Sequence, residues 1–218
     1  MRTVREIYTA YRIMPSLQMH QLRVAAVAKL IVDNFQQSID TQVVLLSCLF
    51  HDMGNIIKSE LSQFPEFSEP EGVEHWQGVK EEFVSKYGEN AHDANVAIAR
   101  EIGVLESVIF EIDSFSFGNL AKIATGNSFE LKISKYGDLR TGPYGILSMQ
   151  ERLEEARARY VAQGSDRKHY TKDGFVELSH AAENIEQQIF EHCRVKPSDI
   201  NDVTILSALK ELSEYPVS

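Results

Sequence analysis

The sequence predicts an all-α fold, arranged as a single-domain helical bundle over residues 1–218. Apolar residues recur at helical spacing in most segments, and helix-starting and helix-ending residues stand between those segments. We find no internal repeat, low-complexity tract or linker. A chain of this length can form one domain with a sizeable core. We expect that core to span about residues 17–155, with helices from 148–214 packing on it.

The first clear helix covers residues 17–35, LQMHQLRVAAVAKLIVDNF. Pro15 and Ser16 stand just before it as a plausible start. One face of this helix carries residues spaced by four, three and four positions: His20, Val24, Val27 and Ile31. Because the other three are apolar, the pattern predicts that His20 faces the core.

The next segment, IDTQVVLLSCLFHDMG at residues 39–54, is apolar nearly all round. It predicts a central buried helix, started by Asp40 or Thr41 and ended by Gly54. The run VVLL by itself also suits a strand.

Residues 58–74 contain two prolines and predict an irregular segment, whereas most of the remaining chain is periodic. Segment 127–139 favours a helix, with a strand as the alternative. Ser148 and Glu151 form a capping-box pattern. The stretch at 163–174 reads as a polar loop, and Pro197 separates the last two helices. Helices are predicted over residues 75–87, 91–103, 105–115, 127–139, 148–163, 175–194 and 198–214.

Composition excludes several classes of function. The net charge of −10 and the absence of a Lys/Arg cluster argue against binding a nucleic-acid polymer. No apolar stretch approaches the roughly 20 residues of a membrane span. Cys48 and Cys193 form no CxxC motif and read as reduced thiols, so we expect a cytoplasmic location. A small phosphorylated ligand remains compatible with the charge, because a local metal outweighs it.

The stretch CLFHDMGNI at residues 48–56 places His51 and Asp52 at the end of an apolar run. An unpaired buried charge is costly, so the pair needs partners. Either the pair lies at a water-exposed helix end, or a metal ion satisfies both side chains. Further ligands for an ion would come from His20 on the preceding helix and Asp138 at the end of a later one. Such mixed nitrogen and oxygen ligands suit several transition metals.

A second His–Asp pair, His92 and Asp93, opens another predicted helix. Asp93 there reads as a first-turn acid favoured by the helix dipole.

The order of these residues resembles the HD-domain superfamily of metal-dependent phosphohydrolases. The resemblance lies in the histidine of LQMHQLRVA, the HD of CLFHDMGN and the aspartate of KYGDLR, within residues 17–155. It implies a helical bundle with a divalent metal between the helices and hydrolysis of phosphate esters, often of nucleotides. His20, His51, Asp52 and Asp138 would be the metal ligands, and Asp52 would also be catalytic by orienting or deprotonating the water. The ligand set does not distinguish Mn, Mg, Fe, Co, Ni or Zn.

The chain departs from the family pattern in two places. Many members continue HD-x-G-K, where the lysine meets substrate phosphate, but Asn55 stands at that position and Lys58 follows nearby. Members with two metals supply two extra histidines, of which His92 matches the first. No histidine lies between residues 93 and 168, and Asp113 is a possible substitute. We therefore expect one metal, with His92 as a catalytic base or supporting group, while a second metal at His92 stays open.

Candidate substrate-binding residues are Arg23, Asn55, Lys58 and Arg140, because arginine and lysine suit phosphate oxygens. Each arginine has an alternative interpretation as a surface ion pair. Lys58 has the alternative interpretation of a solvated loop lysine, which the sequence favours. The segment at 64–76 predicts either a lid that includes His75 and Trp76 or an ordinary long loop.

The leading interpretation is a phosphohydrolase that cleaves a small phosphomonoester, with a nucleotide among the candidates, through a metal-activated water. A di-iron oxygenase on the same fold is less compatible, because it needs the full two-metal ligand set. A regulatory, non-catalytic helical domain that keeps the metal or ligand site is the third alternative, supported by Asn55. Nothing in the sequence indicates an oligomeric state.

Overall fold

The computed structural model describes residues 2–162 and 171–217, and it confirms the all-α class. Residues 163–170, which form most of the predicted polar loop, lie outside the described residues. Two short strands, β1 (Arg2–Thr3) and β2 (Pro216–Val217), pair antiparallel. The α-helices of the described part are α1 (Val4–Ala10), α2 (Pro15–Val32), α3 (Thr41–Phe50), α4 (Val73–Tyr87), α5 (Ala91–Ile102), α6 (Glu106–Ser114), α7 (Leu120–Thr125), α8 (Phe129–Arg140), α9 (Met149–Ala162), α10 (Lys172–Phe190) and α11 (Asp202–Ser213).

Several helix starts follow the predicted capping chemistry. The Asp40 side chain accepts a hydrogen bond from the Val43 backbone N–H at 3.1 Å and so caps α3. Ser148 and Glu151 form the predicted reciprocal capping box, with side-chain to backbone distances of 3.2 and 2.8 Å. The open choice for segment 127–139 is resolved as helix α8, which Ser128 caps.

The last two helices differ from their predicted bounds. Helix α10 runs from Lys172 to Phe190 instead of 175–194. Helix α11 begins at Asp202 instead of 198, because Pro197–Asp199 forms a separate 3₁₀ turn and Asn201 supplies the cap. In the irregular segment, Pro65 begins another short 3₁₀ turn, Pro65–Ser68.

Helices α2, α3 and α8 form the centre of the bundle. Helix α3 is buried from Val43 to Phe50, in agreement with its all-round apolar sequence. It packs on both α2 and α8, while α10 and α11 cover α8 and α2 from outside. One connected apolar cluster includes residues from α1 at one end of the chain to β2 at the other. Within the described residues, no helix is both long enough and apolar enough to cross a membrane.

Gly137 lets α8 approach α2 closely. A Cβ atom added at this position would lie 2.7 Å from the Val24 carbonyl oxygen on α2. A side chain therefore does not fit between the two helices without moving them apart. The contact matters for the site described below, because the next residue is Asp138.

Replacing Gly137 by alanine is expected to lower the free energy of unfolding. Overpacking costs about 1–3 kcal/mol, and alanine's higher helix propensity offsets only about 1 kcal/mol of that. Gly78→Ala in α4 is a matched control, because a Cβ there meets nothing within 4 Å. Urea denaturation should show Gly137→Ala less stable and Gly78→Ala slightly more stable than the parent chain. Equal stabilisation by both changes would contradict the tight crossing of α2 and α8.

Candidate metal centre

His51 is a buried imidazole with one ring nitrogen satisfied and the other left without a partner. It follows directly on the last residue of α3 and is 3% exposed. Its Nδ1 lies 2.8 Å from the Cys48 carbonyl oxygen, and a carbonyl only accepts, so Nδ1 carries the proton. Burial lowers the pKa of His51, which favours the neutral ring. The lone pair of Nε2 is then free, and this buried atom has no hydrogen-bond partner among the described residues.

His20 and Asp52 bring two more ligand atoms to the same place. One ligand atom from each of His20, His51 and Asp52 lies within 4.8 Å of the others. The Nε2 atoms of both histidines are 3.6 Å from Asp52 Oδ2. Those separations are too long for good hydrogen bonds. They match the roughly 3.4 Å between two ligand atoms that share a tetrahedral ion at about 2.0–2.2 Å. The residues present therefore fit a divalent metal.

Asp138 reaches the edge of this group from α8. Its Oδ1 lies 3.6 Å from His20 Nε2, and its Oδ2 lies 2.7 Å from the Lys135 ammonium. Burial acts to raise the pKa of Asp138, but the charge of Lys135 and the contact with His20 outweigh it and hold the pKa well below its ordinary value. For Asp52, burial is likewise outweighed by His51, Lys58 and His20, and the pKa is lowered. Both carboxylates are therefore ionised at neutral pH.

Two further residues, Gln21 and Asn95, hold the turn after α3, and the interpretation of the motif missed them. The buried Gln21 accepts the Asp52 backbone N–H through Oε1 at 3.2 Å. The Gly54 N–H donates to Asn95 Oδ1 on α5, and a Cβ on Gly54 would lie 2.6 Å from the Ala94 Cβ. The available signal was a polar amide within each apolar helix, at Gln21 and Asn95, because buried amides need partners. These contacts fix the direction in which Asp52 leaves the turn.

Two of the predicted substrate-binding cations have side chains that the described fold does not engage. Lys58 is exposed and close enough to Asp52 to lower its pKa. Arg23 is half-buried on α2, one turn after His20. Neither side chain makes a hydrogen bond or an ion pair with the other described residues. Both therefore keep donors for an anion.

Of the other two predicted substrate-binding residues, Arg140 is used by the fold, which corrects that prediction. The buried Arg140 guanidinium donates to the carbonyl oxygens of Leu147, Pro197 and Ile200 and to the Tyr136 hydroxyl. Four of its five N–H groups are thereby engaged away from Asp138. Asn55 is also buried, and its Oδ1 accepts from Asn95 Nδ2 at 3.4 Å. Arg140 therefore does not present its side chain to a substrate, whereas a substrate-binding role for Asn55 stays a prediction.

His92 lies outside the tight ligand group. Its Nε2 is 3.1 Å from Asp113 Oδ1, across α5 and α6, and both side chains are more than one-third exposed. The structure thus pairs His92 with the acid that was its suggested partner. Within residues 2–162 and 171–217, the group of three or more possible ligands comprises His20, His51 and Asp52, so no third ligand joins His92. A catalytic or metal-binding role for His92 stays a prediction.

The irregular segment after α3 borders the same end of the bundle. Ser16, one turn before His20, donates through Oγ to the Phe67 carbonyl oxygen at 3.3 Å. The Phe67 ring lies 5.4 Å from that of Tyr144, in the turn that follows α8. The segment is therefore a wall between the ends of α2 and α8. Trp76 is buried and its indole donates to the Ser68 carbonyl oxygen, so it anchors the segment.

The fold and the site define a class: an all-α bundle in which two histidines and two carboxylates meet at the ends of three central helices. Comparisons with protein-family models, with curated proteins and with solved structures found no match. The resemblance to the HD-domain superfamily therefore rests on the residues of this chain alone.

Proposed function

We propose that this chain is an HD-type metal-dependent phosphohydrolase that cleaves a small phosphomonoester, with a nucleotide among the candidates. The observation that carries the proposal is the buried, unpartnered Nε2 of His51 beside His20 Nε2 and Asp52 Oδ2. One divalent ion is the economical partner for these three atoms. The proposed location is the cytoplasm, where the two free cysteines would stay reduced.

Four side chains would hold the ion: His20, His51, Asp52 and Asp138. A divalent ion, when bound, polarises a phosphoryl oxygen and lowers the pKa of a water. The hydrogen bond from His51 Nδ1 to the Cys48 carbonyl keeps Nε2 directed at the site. Asp52 is ionised, so its carboxylate can accept a hydrogen bond from the attacking water and orient it.

Arg23 and Lys58 would bind the phosphate of the substrate. Their donors are not used by the described fold, and Lys58 is close enough to Asp52 for their charges to interact. Lys58 offsets the overall negative charge of the chain locally, and Arg23, one turn after His20, would add a second cation for an anionic substrate.

A regulatory, non-catalytic domain is the second candidate, and the position of Asn55 favours it. The residue that replaces the family's phosphate-contacting lysine is buried against Asn95. The chain therefore lacks one phosphate contact that the resemblance implies, and binding of a ligand without turnover is the alternative outcome.

The test is a metal-dependence assay on the full chain. The protein is stripped with a chelator, its residual metal is measured, and Mn, Mg, Co and Fe are added singly before a panel of phosphomonoesters. We expect turnover only after metal is restored. Metal binding without turnover of any panel member would favour the regulatory domain. Two tightly bound irons per chain would instead favour an oxygenase.

A further inference from the structure

Lys135 is a buried lysine directly behind the proposed metal centre. It lies one turn before Asp138 on α8 and is 1% exposed. Its ammonium donates to Asp138 Oδ2 at 2.7 Å and to the Phe115 carbonyl oxygen at 2.8 Å. The same nitrogen lies 4.1 Å from the ring centroid of Phe117. A buried ammonium with two acceptors and an aromatic face is held in one position.

Phe115 contacts both Lys135 and a residue of the proposed metal centre. The ring of Phe115, whose carbonyl accepts from Lys135, packs on the ring of His51 with 4.6 Å between centroids. The Lys135 nitrogen also lies 5.3 Å from the Phe115 centroid. Phe115 therefore contacts both the Lys135 ammonium and the His51 ring, and the hydrogen bond from Lys135 to Asp138 links the ammonium directly to the centre.

The hydrogen bond from Lys135 limits the number of Asp138 oxygens that are free to bind a metal ion. Oδ2 is engaged by Lys135, and Oδ1 is the oxygen that faces His20, at 3.6 Å. An ion next to His20 would therefore meet one oxygen of Asp138. A carboxylate that already pairs with an ammonium is also a weaker donor to a second cation, because its charge is partly neutralised.

Lys135 also changes the charge of the centre. With neutral histidines, two carboxylates and a divalent ion would leave the centre without net charge. The ammonium adds one positive charge at a position that solvent does not reach. Water screens a charge at such a position only weakly. A phosphate group entering the loaded centre would meet that additional charge.

We propose that Lys135 is a positioning residue that weakens metal binding by holding Asp138 to one free oxygen and strengthens binding of an anion at the metal-loaded centre. This inference rests on the proposed function and concerns the same site. It predicts that loss of Lys135 raises the affinity for metal and lowers the affinity for an anion. Loss of a purely structural lysine would lower both affinities.

The test compares Lys135→Met with the parent chain by calorimetry. Mn²⁺ affinity is measured on metal-stripped protein, and inorganic phosphate affinity is measured on Mn²⁺-saturated protein. We expect Mn²⁺ to bind about tenfold more tightly and phosphate about tenfold more weakly in Lys135→Met. Lys132→Met is the control, because Lys132 is buried one turn earlier on α8 and its ammonium lies over the Phe129 ring, 5.1 Å from the centroid. It should leave both affinities unchanged.

If Lys135→Met does not fold, Lys135→Gln replaces it, since glutamine keeps an uncharged donor for Asp138. A loss of both affinities, or no change in either, would overturn the role proposed for Lys135. Neither measurement uses turnover. If both affinities shift as expected while the parent chain hydrolyses no phosphomonoester, the role of Lys135 stands and the proposed hydrolase activity fails.

Discussion

Asp52→Asn is expected to lower phosphomonoester turnover by about 10³-fold, with the protein still folded. The substitution keeps the shape of the side chain but removes the negative charge that lies 3.6 Å from both His20 Nε2 and His51 Nε2. In the proposed hydrolase two effects would combine, because the ion would lose a charged ligand and the attacking water would lose an acceptor that can orient it. The loss should appear in kcat at saturating metal, and metal content after dialysis should fall as well.

Asp93→Asn is the matched control for this experiment. Asp93 belongs to the second His–Asp pair of the chain, and it is exposed in the first turn of α5. We expect turnover within about twofold of the parent, because an exposed first-turn acid contributes only about 0.3–1 kcal/mol to the helix. If Asp52→Asn retained activity similar to Asp93→Asn, the ligand group centred on Asp52 would be the wrong site.

Glu111→Gln is expected to stabilise the protein at pH 8 and to have little effect at pH 5. Glu111 on α6 is 3% exposed and lies beside Ser134 of α8, whose hydroxyl donates to Glu111 Oε2 at 3.0 Å. Burial raises the pKa of Glu111 from 4.5 to about 7, and the Ser134 hydroxyl offsets only part of this shift. The folded chain therefore holds a proton that the unfolded chain releases between these two pH values.

The direction of the pH dependence follows from that difference in bound protons. The contribution of Glu111 to stability is fully present below about pH 4.5 and is lost as the pH rises to about 7. The rise in the pKa of Glu111 from 4.5 to about 7 corresponds to about 3 kcal/mol. Glutamine cannot ionise, so the variant avoids this loss and should exceed the parent by up to about 3 kcal/mol at pH 8.

Urea denaturation at pH 5 and pH 8 measures this effect. Glu106→Gln is the matched control, because Glu106 is exposed at the start of the same helix. We expect the free energy of unfolding of the control to follow that of the parent at both pH values. A parallel pH dependence in Glu111→Gln and the parent would show that Glu111 does not hold a proton in the folded chain.

Local sequence patterns are sufficient to predict the helices α2 and α3, which carry the site. The face of α2 could be predicted because Val24, Val27 and Ile31 share a stripe with His20, and all three are fully buried. The start of α3 could be predicted from Asp40, since an N-cap bond joins residues only three positions apart. The start of α11 was less predictable, because a 3₁₀ turn at Pro197–Asp199 and a cap at Asn201 use residues that also suit a helix.

The roles of the charged and amide residues around the site depend on contacts between distant parts of the chain. Arg23 and Arg140 looked equivalent in the sequence, yet Arg140 is bound to carbonyls about 60 positions away, whereas Arg23 keeps its donors. Gln21 meets Asp52 across 31 positions, and Glu111 meets Ser134 across 23. No periodicity encodes such pairs, because they form only when separate helices pack together.

The sequence by itself determined the all-α class, the faces of α2 and α3, and the order of the histidines and aspartates that resembles the HD-domain pattern. Those features depend on local hydrogen bonding and on the 3.6-residue repeat, which short stretches of sequence encode directly. Only the tertiary structure decided that His51 Nε2 is unpartnered, that Lys135 holds one oxygen of Asp138, and that Arg140 belongs to the fold. The physical reason is that burial and desolvation are properties of the packed helices, and they set the charge state and direction of each side chain.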